Sequence, residues 1–276
     1  MEIPPYEESK DVIQRKLDQT TMILQNINAY FLRSRKWIIT ILLCRWLCPP
    51  TMKNSTSKII FLRLAEYSAV FFIEIIAVND GSKDSTGKLI AEAAEMDSHI
   101  VDTGYDVNQG KGHAITTGIA KASGKYIAFL DSDLELSPSL LKPFMKQMRD
   151  TGSDIVIGSK LHPESKLDYP PIRRVMSYSY YIMLKMLFHL GIHDTQTGIK
   201  LFKAEVIKPI AENLSISGYA FDIEILVAAH RQGYSISEAP IVLNYSRDDA
   251  ADGRRIKIKD IWKVFTDTIE IKKKYH

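Results

Sequence analysis

The sharpest chemical feature of the sequence is a pair of aspartates separated by one residue, Asp131 and Asp133. Two carboxylates at this spacing repel each other unless a hard divalent cation neutralises them. Mg²⁺ or Mn²⁺ on a nucleotide diphosphate would meet that need, because phosphate oxygens fill the remaining coordination positions. Glu135 follows two residues later and either adds a ligand or supplies an acidic residue at a helix start. The spacing therefore predicts a metal site with Asp131, Asp133 and Glu135 as candidate ligands.

A second polar cluster, residues 79–86, follows another short apolar run. Asp80 is suited to accept hydrogen bonds from a base or a ribose, and Gly81 would allow a ligand to approach closely. Asp84 and Ser85 are more simply explained as caps of the next helix. The cluster therefore predicts a nucleotide contact through Asp80.

Residues 108–112 place a lysine between two glycines. Glycines let the backbone approach an anion, so Lys111 suits contact with a phosphate or a nucleotide. The spacing matches neither a P-loop nor the dinucleotide-binding glycine motif. A flexible turn is the alternative interpretation.

Several basic residues stand in segments that resemble loops, and arginine is suited to bidentate phosphate recognition. For any one of them a solvated surface position is the alternative. These basic residues are Arg173, Arg174, Arg247, Arg254 and Lys257.

Two polar clusters, at residues 194–198 and 218–224, could each line a cleft or form a turn and a helix cap.

The elements that must position these residues alternate between strand and helix. Short apolar runs at 75–78, 125–130 and 154–158 predict buried strands, with helical patterns between them. Such alternation predicts a mostly parallel sheet with right-handed crossovers. Ligands of these sheets bind beyond the carboxyl ends of the strands. Asp80 and Asp131 both fall at such ends.

Composition excludes several classes of protein. Of the 276 residues, 45% are hydrophobic and 25% charged, which is typical of a globular domain. The net charge of +3 argues against a nucleic-acid partner, so any positive site must be local. No stretch reaches the ~18 uninterrupted apolar residues of a spanning helix, and no signal peptide is recognisable at the start. We therefore expect a cytoplasmic protein that is soluble or peripherally attached to a membrane.

The C-terminal segment, residues 251–276, is basic and amphipathic. One interpretation is a helix that packs on the domain and leaves a solvated face. The other is a membrane-surface helix, because anionic membranes attract such segments by ~1 kcal/mol per basic residue near the surface.

Taken together, six strings in order resemble the family-two glycosyltransferases of the GT-A fold, and among them the polyprenyl-phosphate (dolichyl-phosphate) mannosyl- and glucosyltransferases. They cover most of residues 75–265 and the first ten residues. The strings are P-P-Y-E-E at 4–8, V-N-D-G-S-K-D-S-T at 78–86, N-Q-G-K-G at 108–112, L-D-S-D at 130–133, D-T-Q-T-G-I-K-L-F at 194–202 and G-Y-A-F-D-I-E-I-L at 218–226.

The resemblance implies one GT-A domain over residues 1–250, with a mostly parallel central α/β sheet, helices on both faces and a Rossmann-like nucleotide-binding half. The sequence departs from the family in its first strand, which is reduced to residues 1–3, and in an apparent insertion at about 33–72. In addition, Lys160 stands where many relatives carry arginine.

The resemblance also implies a role for each matching position. Asp131 and Asp133 would hold the metal and the diphosphate, with Glu135 beside them. The basic residues named above, Arg173, Arg174, Arg247, Arg254 and Lys257, would face an acceptor phosphate. The residues assigned to the nucleotide are Pro4, Tyr6, Glu8, Asp80, Lys111 and Asp131.

The implied activity is inverting, metal-dependent transfer of a sugar from a UDP- or GDP-linked donor to a polyprenyl phosphate. The enzyme would work at the cytosolic face of a membrane, with peripheral contact. A lipid phosphate is already ionised and needs no base, so catalysis would rest on the metal held by Asp133. A hydroxyl acceptor would need a carboxylate to take its proton, with Asp222 as first candidate and Asp194 as second.

Two alternatives stay open at this point. One is a glycosyltransferase of the same fold with a saccharide hydroxyl as acceptor. The other is a nucleotide-sugar-binding relative without catalysis, which the short first strand would explain.

Overall fold

The computed structural model describes residues 39–45, 73–131, 136–167, 171–218, 220–243 and 258–276. Within these ranges the chain forms a seven-stranded sheet, a two-stranded sheet and seven α-helices. The large sheet contains β1 (Ile39–Arg45), β2 (Ile73–Asp80), β3 (Ile100–Tyr105), β4 (Tyr126–Asp131), β5 (Ile155–Ser159), β7 (Ile199–Lys203) and β8 (Ile236–Pro240), and the small sheet contains β6 (Lys166–Leu167) and β9 (Val242–Leu243). The helices are α1 (Thr86–Met96), α2 (Lys111–Lys121), α3 (Leu141–Thr151), α4 (Pro171–Phe188), α5 (Ala204–Ala211), α6 (Phe221–Arg231) and α7 (Ile258–Lys274).

The large sheet has the strand order β3-β2-β1-β4-β7-β5-β8. β3, β2, β1 and β4 run parallel to one another, and β5 runs parallel to β8. β7 is antiparallel to both of its neighbours. The prediction of a mostly parallel α/β sheet is confirmed.

Helices cover both faces of the sheet, as predicted. Successive side chains of a strand point to opposite faces, and in β2 residues 75–78 are apolar and mostly buried on both faces. Ile76 and Val78 of β2 belong to a core shared with α2, α4, α5 and α6. Their neighbours Ile75 and Ala77 belong to a second core shared with α1 and α3. Burial of both faces explains why the strands read as continuous apolar runs.

β1 comes from residues 33–72, the segment that the sequence analysis interpreted as an insertion. Residues 39–45 form the strand between β2 and β4, parallel to both, at the centre of the sheet. The sheet therefore has a full-length strand where the sequence suggested a nearly missing one. Residues 1–3, the first strand expected from sequence, lie outside the described ranges, and the predicted domain boundaries stay a prediction.

Candidate active site

The carboxyl ends of β2 and β4 flank the end of β1. In the strand register Asp131 lies opposite Cys44 of β1, and Asn79 lies opposite Arg45. Asp80 and Asp131 therefore end strands that are two strand spacings apart, about 10 Å. The chain leaves β1 towards β2 on one side and returns to β4 on the other. Open α/β sheets bind their ligands in a crevice beyond the strand ends where the strand order reverses in this way.

The end of β2 is tied to the loop that precedes α2. Asp80 is buried, and its carboxylate accepts hydrogen bonds from the backbone N–H of Gln109 at 2.8 Å and of Gly110 at 3.2 Å. The side-chain amide of Asn108 donates to it at 2.8 Å. At Gly81, where φ is 64°, a Cβ would lie 2.4 Å from the backbone nitrogen of Asn108, so only glycine fits. Asp80 thus holds the loop in place, and its contact with a nucleotide stays a prediction.

Lys111 brings a positive charge to the end of β4. It is the first residue of α2, and its Nζ donates to Oδ1 of Asp131 at 2.6 Å. The same ammonium lies 5.7 Å from the centre of the Phe221 ring, within the range of a cation–π contact. The side chain of Asp131 is 39% exposed. The site therefore suits a phosphate ligand with a bound metal ion. The phosphate would meet the positive charge of Lys111 and of the α2 N-terminus, and the metal ion would meet the Asp131 carboxylate.

The predicted metal ligands are only partly described. Asp131 lies within the described ranges, whereas Asp133 and Glu135 lie outside them. Among the described residues, no group of three or more His, Cys, Asp or Glu side chains could hold a metal ion. Of the three predicted ligands, Asp131 is the one within the described ranges, and its carboxylate oxygens are hard donors of the kind that Mg²⁺ and Mn²⁺ prefer.

Asp222 forms a buried ion pair. Its Oδ1 accepts a hydrogen bond from Nζ of Lys200 at 2.6 Å, and the same ammonium donates to the carbonyl of Thr197 at 2.6 Å. The side chains of Lys200 and Asp222 are 2% and 10% exposed. Removing the Asp222 carboxylate would leave the buried ammonium without its counter-charge. The pair therefore gives Asp222 a structural role in the packing of β7 against α6.

Asp194 is also fully engaged by its own surroundings. Its carboxylate accepts from the backbone N–H of Lys160 at 2.9 Å, the hydroxyl of Thr197 at 2.7 Å and the backbone N–H of Gln196 at 3.1 Å. Burial alone would raise the pKa of Asp194, but the Lys160 ammonium at 3.3 Å and these hydrogen bonds lower it below its ordinary value. A carboxylate with a lowered pKa takes up protons poorly at neutral pH.

Most of the basic residues predicted to bind the acceptor phosphate lie outside the described ranges. Arg173 and Arg174 lie in the first turn of α4, but their side chains are not described. The role of each as a phosphate ligand stays a prediction. The remaining predicted site residues fall outside the described ranges, and they are Pro4, Tyr6, Glu8, Arg247, Arg254 and Lys257.

A further buried carboxylate, which the sequence analysis did not single out, connects α7 to the candidate site. Glu224 accepts from the backbone N–H of Ile216 at 2.8 Å and from Nζ of Lys274 at 2.8 Å. The adjacent carbonyl of Ser217 accepts from the N–H of Gly112 at 2.8 Å, in the first turn of α2. The end of the chain thus helps to hold the segment against which the Lys111 loop packs.

Helix α7 packs on the domain through one face and exposes aromatic side chains near its start. Thr268 and Ile271 are buried, and Ile271 belongs to the core shared with α4 and α6. Near the start of the helix, Trp262 is 67% exposed and Phe265 is 42% exposed. The centres of their two rings lie 5.7 Å apart. Within the described ranges, no helix combines the length and apolarity needed to cross a bilayer.

Comparison with known proteins adds evidence independent of this geometry. The sequence model of a family described as glycosyl transferase family 2 matches residues 63–210. The chain is 35% identical over 226 residues to a dolichyl-phosphate beta-glucosyltransferase of Trichomonas vaginalis, covering 80% of this chain and 68% of that protein. It is 34% identical over 189 residues to the dolichyl-phosphate beta-glucosyltransferase of Dictyostelium discoideum, covering 66% of this chain and 57% of the relative. With the human protein of the same name it shares 33% identity over 191 residues, 64% of this chain and 56% of that one.

Solved structures with the same fold include two sugar-phosphoglycerate synthases. Glucosyl-3-phosphoglycerate synthase from Mycobacterium tuberculosis, in complex with uridine diphosphate, matches with a TM-score of 0.59 at 16% identity, covering 99% of this chain and 85% of that one. Mannosyl-3-phosphoglycerate synthase from Rubrobacter xylanophilus matches with a TM-score of 0.62 at 15% identity, covering 88% and 75%. At these identities the likeness extends to the GT-A fold.

Proposed function

The chain belongs to glycosyl transferase family 2, and from that premise we propose that it transfers glucose from a nucleotide-diphosphate sugar to dolichyl phosphate. The sugar and the acceptor are those in the names of its relatives from three eukaryotes. The chain spans about 56 to 68% of the length of these relatives. UDP-glucose is the first donor to test and GDP-mannose the comparison.

The observation that carries the proposal is the Lys111–Asp131 pair at the crevice. Its carboxylate is open to solvent, and the ammonium and the N-terminus of α2 lie beside it. A diphosphate bound there would meet positive charge from Lys111 and the helix. Asp80 supports this arrangement because it fixes the loop that leads into Lys111.

Asp131, Asp133 and Glu135 are the residues that would hold Mg²⁺ or Mn²⁺. When bound, a divalent cation stabilises the negative charge that develops on the departing nucleotide diphosphate. Lys111 would contribute to the same stabilisation from the side of α2. Its ammonium is already held in position by Asp131 and by the Phe221 ring.

The state of Asp222 and Asp194 favours a phosphate acceptor over a hydroxyl. Asp222 is committed to a buried ion pair with Lys200, and the lowered pKa of Asp194 makes it a poor proton acceptor at neutral pH. A phosphate monoester is ionised near neutral pH and attacks without a base. Arg173, Arg174, Arg247, Arg254 and Lys257 are the positions we assign to that acceptor phosphate.

Exposed aromatic side chains on α7 support contact with a membrane that carries the lipid acceptor. Trp262 and Phe265 are adjacent on the helix and accessible, and aromatic side chains of this kind favour the interface between lipid and water. We propose that this end of the helix rests on the cytosolic face of a membrane.

The test is a transfer assay with the full chain. Radiolabelled UDP-glucose or GDP-mannose is incubated with vesicles that contain dolichyl phosphate, in the presence and absence of Mn²⁺, and products are extracted into organic solvent. We expect label in the organic phase from UDP-glucose with Mn²⁺ and dolichyl phosphate present. Asp133→Ala should abolish it, whereas Asp150→Ala, an exposed carboxylate on α3, should retain it.

Two results would contradict the proposal. Label found only as a water-soluble saccharide product would show a hydroxyl acceptor. Absence of transfer and of donor hydrolysis with either nucleotide sugar would show a chain without this catalysis.

A further inference from the structure

Gly198 lies directly against the carboxylate of Asp131. A Cβ at position 198 would be 2.2 Å from Oδ2 of Asp131 and 2.8 Å from its Cγ. Both distances are shorter than any that a Cβ tolerates. Positive φ values occur at four described glycines, and Gly198 is not among them. Glycine is therefore needed at this position for space rather than for backbone conformation.

The backbone fixes this contact. β4 and β7 pair antiparallel, with Leu130 opposite Ile199, so that the next residues along, Asp131 and Gly198, face each other. The backbone N–H of Asp131 donates to the carbonyl of Gly198 at 3.2 Å. The side chain of Asp131 then lies over the bare Cα of Gly198, while its other oxygen accepts from Lys111 at 2.6 Å.

We propose that Gly198 is a positioning residue, whose lack of a side chain holds the Asp131 carboxylate in the orientation that serves the nucleotide and metal. This inference rests on the proposed function of the Asp131 site. With a methyl group at position 198 the carboxylate must rotate away, and it loses the contact with Lys111. Since the Asp131 side chain is partly exposed, it has room to move, and the fold survives.

The free protein provides the first test. Crystal structures of the unliganded wild type and of Gly198→Ala are compared. We expect superimposable strands and an Asp131 carboxylate turned away from Lys111 in the variant. A carboxylate that keeps its contact with Lys111 would overturn the inference. This comparison needs no ligand, so it decides the inference even if the wild type binds no nucleotide sugar and the proposed function fails.

The second test measures binding of UDP-glucose by calorimetry in the presence of Mn²⁺. Gly198→Ala should weaken binding by about 10- to 100-fold, since small displacements of functional groups have effects of this size. Gly191→Ala is the matched control, because nothing lies within 4 Å of a Cβ there. The affinity of Gly191→Ala should stay close to that of the wild type. The melting temperatures of Gly191→Ala and Gly198→Ala should both stay close to the wild-type value.

A double-mutant cycle separates positioning from a general structural effect. In an Asp131→Ala background the added methyl group at position 198 has no carboxylate to displace, so Gly198→Ala should weaken binding no further. Equal weakening in both backgrounds would show that Gly198 acts independently of Asp131 and would overturn the inference. Wild-type affinity in the single variant Gly198→Ala would overturn it as well, with the proposed function intact.

Discussion

Lys111–Asp131 and Lys200–Asp222 are two lysine–aspartate pairs with the same 2.6 Å separation and different surroundings. The first lies at the crevice, with side chains 17% and 39% exposed, and the second is buried at 2% and 10%. Water screens the first pair, so it contributes about 0–1 kcal/mol to stability. The second has lost its hydration and depends on its partner. Burial, rather than distance, therefore separates a pair that a ligand can rearrange from one that holds the fold.

The largest expected effect is on the buried pair. Asp222→Asn would leave the Lys200 ammonium without a counter-charge, and we expect the free energy of unfolding to fall by about 3–5 kcal/mol in urea denaturation. If the variant keeps wild-type stability but loses turnover, Asp222 acts as a proton acceptor. That result would contradict the structural role assigned to the buried pair.

Asp194 should give a smaller effect that depends on pH. Its pKa is lower in the folded than in the unfolded chain, so its contribution to stability is fully present above about pH 4 and is lost as the pH falls through the lowered pKa. Urea denaturation of Asp194→Asn should therefore show a flatter decline in acid than the wild type. Asp150→Asn, an exposed control, should follow the wild-type curve. Parallel curves for Asp194→Asn and wild type would show that Asp194 is not held as an ion.

Breaking the open pair should affect binding far more than stability. For Lys111→Met we expect a change in unfolding free energy within about 1 kcal/mol. Affinity for Mn²⁺ and UDP-glucose should fall about 10- to 100-fold, because a charge-assisted contact is lost. Lys88→Met, an exposed lysine on α1, is the control. A large loss of stability with unchanged affinity would reverse the roles assigned to the two pairs.

The smallest effect on stability is expected on the exposed face of α7. Replacing Trp262 and Phe265 by serine should change stability by no more than about 0.5 kcal/mol per residue, since both side chains are accessible. Binding to vesicles with anionic lipid, measured by co-sedimentation, should fall on the order of tenfold. Met96→Ser, equally exposed on α1, should bind as the wild type does. Undiminished binding of the double variant would place the membrane contact elsewhere.

Much of the fold could be predicted from sequence, because strands buried on both faces have continuous apolar runs. The run at 125–130 became β4, and that at 154–158 became β5. The antiparallel direction of β7 could not be predicted, since local pattern does not encode the direction in which a strand pairs. β1 was not predicted, because its apolar residues lie among basic ones without a clear period.

In the site, too, features marked by the local sequence could be predicted, whereas contacts between distant residues could not. Asp80, Lys111 and Asp131 were predicted because each stands where an apolar run or a glycine pair makes a polar residue conspicuous. Lys200 carried a signal that was not used, since a lysine inside the apolar strand β7 must be paired when buried. The partnership of Glu224 with Lys274, fifty residues apart, carried no local signal.

The most direct test of the central claim is an anomalous difference map at the manganese edge from crystals grown with Mn²⁺ and UDP. The account predicts a manganese peak beside the carboxylates of Asp131 or Asp133 at the end of β4, with the diphosphate bridging it towards Lys111. UDP bound away from this crevice, or bound within it without manganese while Asp131 keeps its pair with Lys111, would contradict it.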